Sequence, residues 1–419
     1  MKKIFFSFIL LLCVAPLFAQ GKRIYLPKNG DNGFLFTAQS PYQPGDTLVL
    51  RAALNPWSYL YVGGVSGTAQ HPLVIMNEGV VELSAGIDLE NCRFIKVTGS
   101  GSRDRYGFRV QHSGGVALTI HGKSADIEAE RLLAFDCNFG CWIKNEANCD
   151  TSINNWVLNH ISVHDYEFRN IKVEGFYMGS TDANNASRPI NCNGVQQFYK
   201  PSKLGNIKIY NGLIDGTGRP AIQLSNAQVG MSEIYNNVVL NVGREMNDQQ
   251  GTGISLGLYT RAYIHHNKIR NTLTWGIASL GGSGVLRIEN NDIDTSGYLD
   301  GKPLNWPQNI VVDTRPTDPA DSTQFIIVNN KLGHPGKDAQ NIEVWQSFKT
   351  YRGDNVICNN TAQGRPASVR VPGNIRWRNC GKLQVSGSGF PIWPVAASGI
   401  VVVLMLLVVF RKRKLPALA

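Results

Sequence analysis

The sequence predicts an all-β solenoid in which short parallel strands stack in coils, and three observations support this fold class. A phrase of the form Ile-x-Asn/His-Asn/Gly returns six times, beginning at Ile209, Ile234, Ile264, Ile288, Ile327 and Ile357. Its starts are 25, 30, 24, 39 and 30 residues apart, a period typical of units that bury a core only by stacking. The phrase alternates with period 2, as strands do, and the units lack the long 3.6-residue stripes of a helical solenoid.

A second phrase, Gly/Ala/Asn-Ile-x-Leu/Val, follows the first in most units, so we expect three short strands per coil. Its copies lie at residues 221–224, 253–256, 309–312 and 341–344, with a looser copy at 276–277. Stacked coils place equivalent Asn side chains about 4.8 Å apart, where their amides can hydrogen-bond along the stack, and Asn also tolerates left-handed turns. A leucine-rich repeat, which also has a fixed Asn, would show a tighter Leu-x-x-Leu-x-Leu frame.

The N-terminus has the features of a secretory signal peptide. Two lysines precede an apolar run over residues 4–18, and Ala19 supplies the small residue before the expected cut, so residues 1–19 are assigned to the signal. Cys13 lies inside the apolar run, a poor match to a lipoprotein motif. We therefore expect the mature chain to be exported.

The first coils strengthen the fold prediction. They carry a Pro-Gly-Asp turn at residues 44–46 and a Gly-Thr…Pro-Leu-Val-Ile phrase at residues 67–75. With the later repeats, they resemble the right-handed parallel β-helix of the pectin-lyase-like superfamily, and the chain is similar to exported Bacteroidetes-type proteins of this kind. The resemblance implies a right-handed parallel β-helix of roughly ten coils over residues 20–380. It implies no single reaction, because this fold carries many chemistries.

Three segments lose the repeat and are expected to leave the stack as loops. They lie at residues 180–202, 244–250 and 296–308. Long loops on a rigid solenoid are where binding residues usually lie.

Seven cysteines remain after removal of the signal, in an oxidising compartment. We expect a disulfide between Cys149 and Cys192 that staples the longest loop. Cys358 and Cys380 are either a bridge or two stacked interior residues, and Cys92 fits a buried free thiol. The Cys-x-x-x-Cys spacing from Cys137 lacks the second ligand pair of a zinc site.

The C-terminus is predicted to hold the chain in a membrane. Residues 381–391 form a flexible Gly/Ser linker, residues 392–410 carry no charge, and residues 411–419 begin with four basic residues. Nineteen residues at 1.5 Å each span about 28 Å, enough for a transmembrane helix, and the basic cluster places its far end in the cytoplasm. The alternatives are a buried soluble helix and a cleavable surface-sorting tail. We expect the β-helix to face the periplasm or the cell surface.

Charge excludes some partners. Removing the two lysines of the signal and the four basic residues of the tail lowers the formal net charge from +10 to about +4. This value argues against nucleic-acid binding and permits attraction to anionic polymers. The oligomeric state is not indicated.

The resemblance implies that ligands bind the outer face of the strand formed by the second phrase. Alternation points Tyr177, Gln223, Ser255, Val311 and Glu343 outward there. The candidate catalytic residues flank this strand: Asp182, Asp248, Arg261, Asp313 and Arg315. The candidate substrate-binding residues are Tyr177, Trp275, Glu343 and Trp345. Aromatic rings stack on sugar faces, Arg pairs with uronate or sulfate, and carboxylates bind hydroxyls or Ca²⁺.

These residue types predict an envelope protein that binds or processes an acidic polysaccharide, by lyase or hydrolase chemistry if it is an enzyme. No cofactor is predicted, apart from Ca²⁺ if the chemistry is lyase-like. The Asp-Asp and Gly-His-Gly motifs of polygalacturonases and the Asp-Pro-His motif of mannuronan epimerases are missing from the sequence. The alternative is therefore a non-catalytic surface, structural or adhesive module. His265 and His266 are interpreted as structural substitutions in the Asn phrase.

Overall fold

The part of the chain that the structure describes is all-β, and its strands form three parallel ladders around one interior. The computed structural model describes residues 21–28, 33–152, 156–181, 189–198, 200–247, 249–281, 284–313, 323–345 and 354–379. The first ladder contains thirteen strands: Arg23–Tyr25, Thr47–Arg51, Leu73–Glu78, Arg93–Thr98, Ala125–Glu130, Val157–His164, Lys208–Tyr210, Ser232–Tyr235, Ala262–His265, Gly284–Glu289, Thr323–Val328, Asn355–Cys358 and Trp377–Arg378.

The other two ladders are joined through the long strand Val81–Glu90, whose two halves pair in different ladders. The second ladder continues from its first half through Phe108–Gln111, Leu132–Phe135, Glu167–Ile171, Leu213–Thr217, Val238–Val242, Lys268–Thr272, Asp292–Ser296, Lys331–Leu332 and Thr361–Ala362. The third ladder contains Phe34–Thr37, Trp57–Gly63, the second half of Val81–Glu90, Val116–His121, Phe139–Ile143, Phe176–Met178, Ile222–Leu224, Ile254–Leu256, Ile277–Leu280, Ile310–Asp313, Ile342–Trp345 and Val369–Arg370.

The remaining elements lie beside these ladders. Two small antiparallel hairpins leave the stack, Ile190–Cys192 with Val195–Gln197 and Tyr298–Leu299 with Lys302–Pro303. The others are the 3₁₀ turn Ala52–Leu54, the parallel pair Lys203–Gly205 and Ala227–Val229, and the short antiparallel strand Arg365–Pro366. Both hairpins fall in segments that the sequence predicts to be loops.

The chain visits the ladders in turn, which is the connectivity of a parallel β-helix. The ten first-ladder strands from Leu73–Glu78 to Asn355–Cys358 each begin a coil that supplies residues to all three ladders. This agrees with the roughly ten coils predicted. The right-handed sense of the coil stays a prediction.

Repeated apolar residues form columns inside the stack. The six isoleucines that open the first phrase pair in register from Ile209 to Ile357, and each is at most 3% exposed. The second phrase gives a matching column from Ile222 to Ile342 in the third ladder. Every coil thus buries the apolar side of its strands against the coils above and below, so the hydrophobic effect stabilises the stack as a whole.

The two polar positions of the first phrase have different roles. The first takes the left-handed backbone conformation at the corner, with φ between 53° and 58° at Asn211, Asn236, His266, Asn290, Asn329 and Asn359. The second forms a buried amide ladder, in which each Nδ2 donates to the Oδ1 of the next Asn at 2.8–3.0 Å. The ladder runs through Asn237, Asn267, Asn291, Asn330 and Asn360. The buried Tyr166 hydroxyl donates to Asn237 at 2.9 Å and closes one end.

The cysteine predictions are confirmed where the structure describes both partners. Cys149 and Cys192 form a disulfide with a Cα–Cα distance of 5.7 Å. Cys92 is a buried free thiol, and so are Cys137 and Cys141. Cys358 is disulfide-bonded, and Cys380 lies outside the described residues.

The predicted terminal segments also lie outside the described residues. These are the signal peptide at 1–19, the linker at 381–391, the apolar span at 392–410 and the basic tail at 411–419. Within the described ranges, no helix is long and apolar enough to cross a membrane.

Candidate functional site

The outward row of the third ladder is in the register that the sequence predicts. Tyr177 pairs with Gln223, Gln223 with Ser255, and Val311 with Glu343, while Ala278 fills the step between Ser255 and Val311. Much of this row is nevertheless buried, with Gln223 6%, Val311 0% and Glu343 7% exposed. An outward strand position is therefore not enough to place a side chain in solvent.

A cationic and aromatic cluster lies where the row is open. The Lys144 ammonium is 3.3 Å from the Tyr177 hydroxyl and 4.4 Å from the centre of its ring. It is also 5.0 Å from the centre of the Trp142 ring, which meets Tyr177 edge to face at 4.9 Å. Lys144 is only 6% exposed, and its partner Glu146, at 2.7 Å, is an exposed side chain. The two rings hold the cation by cation–π attraction at the surface of the ladder.

A buried carboxyl lies at the corner just before Tyr177. Glu174 is 4% exposed, and its Oε2 has no hydrogen-bond partner among the described residues. The pKa of this carboxyl is raised to about 7, mainly by burial and in smaller part by the nearby Glu245 carboxylate, against the opposing effect of the Arg219 and Lys144 cations. A carboxyl whose pKa lies near neutral pH is suited to general acid or base chemistry.

The same corner continues as a row of polar and aromatic residues on the following coils. The Arg219 amide donates to the Val173 carbonyl and the Glu245 amide to that of Gly218, so the corner stacks coil on coil. Arg219 and Glu245 form an ion pair at 2.7 Å. This pair leads from the Lys144 cluster towards Met246.

An aromatic cleft of about 410 Å³ begins at Met246. Trp275 and Trp345 meet there edge to face at 5.6 Å, and the Trp306 ring on its rim is 70% exposed. Trp275 Nε1 donates to Gln308 Oε1 at 2.9 Å, and the Gln308 amide donates to Glu343. Glu343 also accepts from Arg370 at 2.8 Å, so the floor of the cleft is a fixed polar chain under indole walls.

A larger polar cavity of about 670 Å³ adjoins this cleft and shares Met246, Leu273 and Leu299 with it. Asp215, Arg244 and Asp300 are among its lining residues. Rings beside a polar surface are the composition expected of a carbohydrate site.

The structure thus brings together three of the four predicted substrate-binding residues. Trp275 and Trp345 line the aromatic cleft. Glu343 accepts a hydrogen bond from Gln308, which itself accepts one from Trp275. Tyr177 lies in the Lys144 cluster, five coil steps away along the row.

The predicted catalytic set is described only in part. Asp313 ends the third-ladder strand Ile310–Asp313, 1% exposed and paired in register with Trp345. Arg261 is exposed in the turn that leads back to the first ladder. Asp182, Asp248 and Arg315 lie outside the described residues, so convergence of the five stays a prediction.

The site residues that the sequence did not single out are Trp142, Lys144 and Glu174. Trp142 precedes Tyr177 in the same register column, but its coil lacks the repeated phrase that located the later strands. Lys144 and Glu174 lie just beyond and just before strands, so their meeting depends on how sharply the corners turn. A Lys and a Glu that each occur once beside a strand give no periodic signal.

A second polar face lies on the first ladder. Glu128, Glu130 and His164 offer three potential metal-ligand atoms within 4.8 Å of one another. The Lys96 ammonium already lies 2.7 Å from Glu128 and 3.3 Å from Glu130, and the His164 Nδ1 is 2.6 Å from Asp165. The three side chains are thus held in an ion-pair network.

Further along this face, four rings stack nearly parallel at 4.5–4.9 Å: His164, Tyr210, Tyr235 and His265. His266 takes the left-handed position of the Asn phrase, and the amide ladder continues through Asn267. Both histidines of the phrase thus take positions that repeat from coil to coil.

Comparisons with known proteins give a similarity of general shape. No family model matches the chain, and no curated protein matches it. An alginate lyase from Paenibacillus sp. str. FPU-7 is 13% identical with a TM-score of 0.46, covering 85% of this chain and 99% of its own. The A-module of an Azotobacter vinelandii mannuronan C-5 epimerase is 13% identical with a TM-score of 0.35, covering 87% and 92%. A lacto-N-biosidase from Eubacterium ramulus is 13% identical with a TM-score of 0.34, covering 82% and 63%. At these values no activity passes to this chain, and its site rests on its own geometry.

Proposed function

We propose that the protein is an exported, membrane-tethered envelope enzyme that binds an acidic polysaccharide at the third ladder and cleaves it by β-elimination. The observation that carries the proposal is the Lys144 cluster, where a buried ammonium lies 3.3 Å from the Tyr177 hydroxyl. The corner just before Tyr177 adds Glu174, a carboxyl whose pKa is raised to about 7 by burial. The aromatic cleft on the same side supplies further sugar contacts.

The Lys144 cluster and the adjacent corner with Glu174 and Arg219 together hold the groups that β-elimination of a uronate needs. Lys144 and Arg219 neutralise the uronate carboxylate, which stabilises the negative charge that develops when C5 loses its proton. Tyr177, acting in its phenolate form, takes that proton on its oxygen and gives it to solvent after product release, and the C5–H electron pair forms the C4=C5 double bond. The C4–O4 bond breaks with its electrons on O4, and the Glu174 carboxyl in its neutral form gives O4 a proton. The products are a 4,5-unsaturated uronate and a new hydroxyl end, with no oxidant or reductant consumed.

The test is a panel of acidic polysaccharides, scored for binding and for the ultraviolet absorbance of the C4=C5 bond. We expect one polymer to give both signals, and Tyr177→Phe to lower the rate at least ~100-fold with binding within about threefold, as for loss of a general base. Lys144→Met should lower both the rate of product formation and the binding affinity. The control Lys208→Met removes a cation of the first-ladder face, ion-paired with Glu233 at 3.1 Å, and should change neither signal.

A non-catalytic adhesive module is the second candidate, and one observation favours it. The middle of the third-ladder row, at Gln223 and Val311, is buried and offers little open surface for chemistry. Binding without unsaturated product from any polymer would support this function and contradict β-elimination. If the protein neither binds nor cleaves any polymer of the panel, a structural scaffold is the remaining function.

A further inference from the structure

A separate pocket of about 360 Å³ lies on the third ladder several coils before the Lys144 cluster. We call it the N-terminal pocket. Leu35, Tyr61, Asp88 and Thr119, which succeed one another in register, form one wall. The row continues from Thr119 through Trp142 to Tyr177, so the pocket and the Lys144 cluster share one face. Asp88 is three coil steps from Tyr177, about 14 Å.

One carboxylate, that of Asp88, lines the pocket, and a second carboxylate and an imidazole lie beside it. Asp88 and the neighbouring Glu90 project from the same strand two positions apart, so both side chains point outward. His121 Nε2 lies 3.0 Å from Asp88 Oδ1, and the Tyr61 hydroxyl donates to Glu90 Oε2. The Asp88 carboxylate beside the imidazole raises the pKa of His121. Even with His121 protonated, these groups sum to one negative charge.

The mouth of the pocket is apolar and open. Leu35 is 53% exposed and Tyr59 is 38% exposed, and both rank among the few large apolar side chains that the described chain leaves in solvent. Gly86 lines the pocket with φ of +106°, where a Cβ would meet the Val116 carbonyl oxygen at 2.2 Å. The strand can therefore turn between ladders here, and the pocket wall keeps no side chain at this point.

We infer that the N-terminal pocket is a subsite for a neutral pyranose, which makes the substrate a heteropolymer of neutral and uronate units. The tyrosine and leucine surfaces fit the apolar face of a sugar ring, and the Asp88 and Glu90 carboxylates accept from its hydroxyls. A uronate in the same place would meet two like charges, which disfavours binding. The Lys144 and Arg219 cations, three coils on, take the uronate. The part of this inference that concerns the uronate unit rests on the proposed function.

The experiment compares two tetrasaccharides of equal length by calorimetry. One alternates glucose and glucuronate, and the other contains galacturonate alone. We expect the alternating compound to bind at least ~10-fold more tightly, about 1.4 kcal/mol. The variant Asp88→Asn with Glu90→Gln keeps the shapes and the Tyr61 hydrogen bond, and should reduce the preference to within about twofold, mainly by tightening the homo-uronate. The control Asp104→Asn changes an exposed carboxylate paired with Arg109 on a separate turn.

A third compound, cellotetraose, tests the pocket without any uronate. We expect weak binding that Tyr59→Ala reduces at least ~10-fold. Binding of acidic compounds with no preference for the alternating one, or a preference that survives the double variant, would overturn the inference and leave the proposed function standing. A third outcome is that cellotetraose binds, that Tyr59→Ala abolishes this binding, and that no acidic compound binds. It would overturn the proposed function and leave the assignment of the N-terminal pocket as a neutral-sugar subsite standing.

Discussion

Glu174 shows how one buried group links pH to stability. Its carboxyl has a pKa of about 7 in the folded chain, raised from 4.5 by burial. The folded state therefore binds this proton more tightly than the unfolded state. Its contribution to stability is full below pH 4.5 and is lost as pH rises towards 7, by on the order of 2–3 kcal/mol.

The measurement is urea unfolding at about pH 5 and pH 8. Glu174→Gln keeps the shape and removes the titration, so we expect a smaller fall in the free energy of unfolding between the two pH values than in the wild type. The control is Glu82→Gln, which changes an exposed carboxylate on the strand Val81–Glu90, away from the Lys144 cluster. Equal falls in the wild type and in Glu174→Gln would show that Glu174 is not the group that titrates.

The residue scale is also where sequence reasoning reaches its limit. Tyr177 was identified because alternation fixes which strand positions point outward, and Trp275 because it precedes a repeated strand. Alternation does not tell whether other segments of the chain cover an outward position, so the burial of Gln223 and Val311 was not foreseen. The partnership of Lys144 with Tyr177 depends on two residues 33 positions apart, which only the coil-to-coil register brings together.

At the scale of the element, the amide ladder is a structural device separate from the ligand face. Asn291 is 1% exposed and donates to the Ile264 carbonyl and to Asn330 at 3.0 Å each. Its Oδ1 accepts from the backbone and the side chain of Asn267. We expect Asn291→Ala to lower the free energy of unfolding by about 2–4 kcal/mol, because it leaves buried donors unpaired.

The adjacent Asn290 provides a matched control, measured by the same urea unfolding. It is exposed and has φ of 54°, a conformation that Gly adopts freely, so Asn290→Gly should cost less than about 1 kcal/mol. Folded Asn291→Ala should keep the polysaccharide affinity of the wild type. Loss of binding in that folded variant would show that ladder and ligand face are coupled.

Elements that repeat were predictable, and those that occur once were not. The six-fold first phrase located the strands and the Asn ladder because identical units must stack in one register. The hairpins at Ile190–Cys192 and Tyr298–Leu299 occur once each and have no periodic context, so the sequence indicated only loops there. The Cys149–Cys192 bridge joins the segments that follow two successive third-ladder strands, Phe139–Ile143 and Phe176–Met178.

At the scale of the molecule, the stack turns residues far apart in sequence into sites along one side. Tyr177 and Glu343 are separated by five coil steps, through Gln223, Ser255, Ala278 and Val311. At about 4.8 Å per step the Lys144 cluster and the aromatic cleft are ~24 Å apart. The corner row of Arg219, Glu245 and Met246 connects them. The proposed ligand is therefore a polymer chain, because a small sugar cannot reach both sites.

This separation predicts how affinity depends on ligand length. Oligosaccharides too short to span ~24 Å occupy one site, and longer ones gain the second contact at high effective concentration. We expect a rise of at least ~10-fold in affinity at the spanning length, measured by calorimetry on a size-graded series. Trp306→Ala removes the exposed indole of the cleft and should abolish that rise without changing the affinity of short oligosaccharides. Trp377→Ala, an exposed indole in the last first-ladder strand, should change neither. An affinity that is already constant below the spanning length would mean that the two sites bind separate ligands.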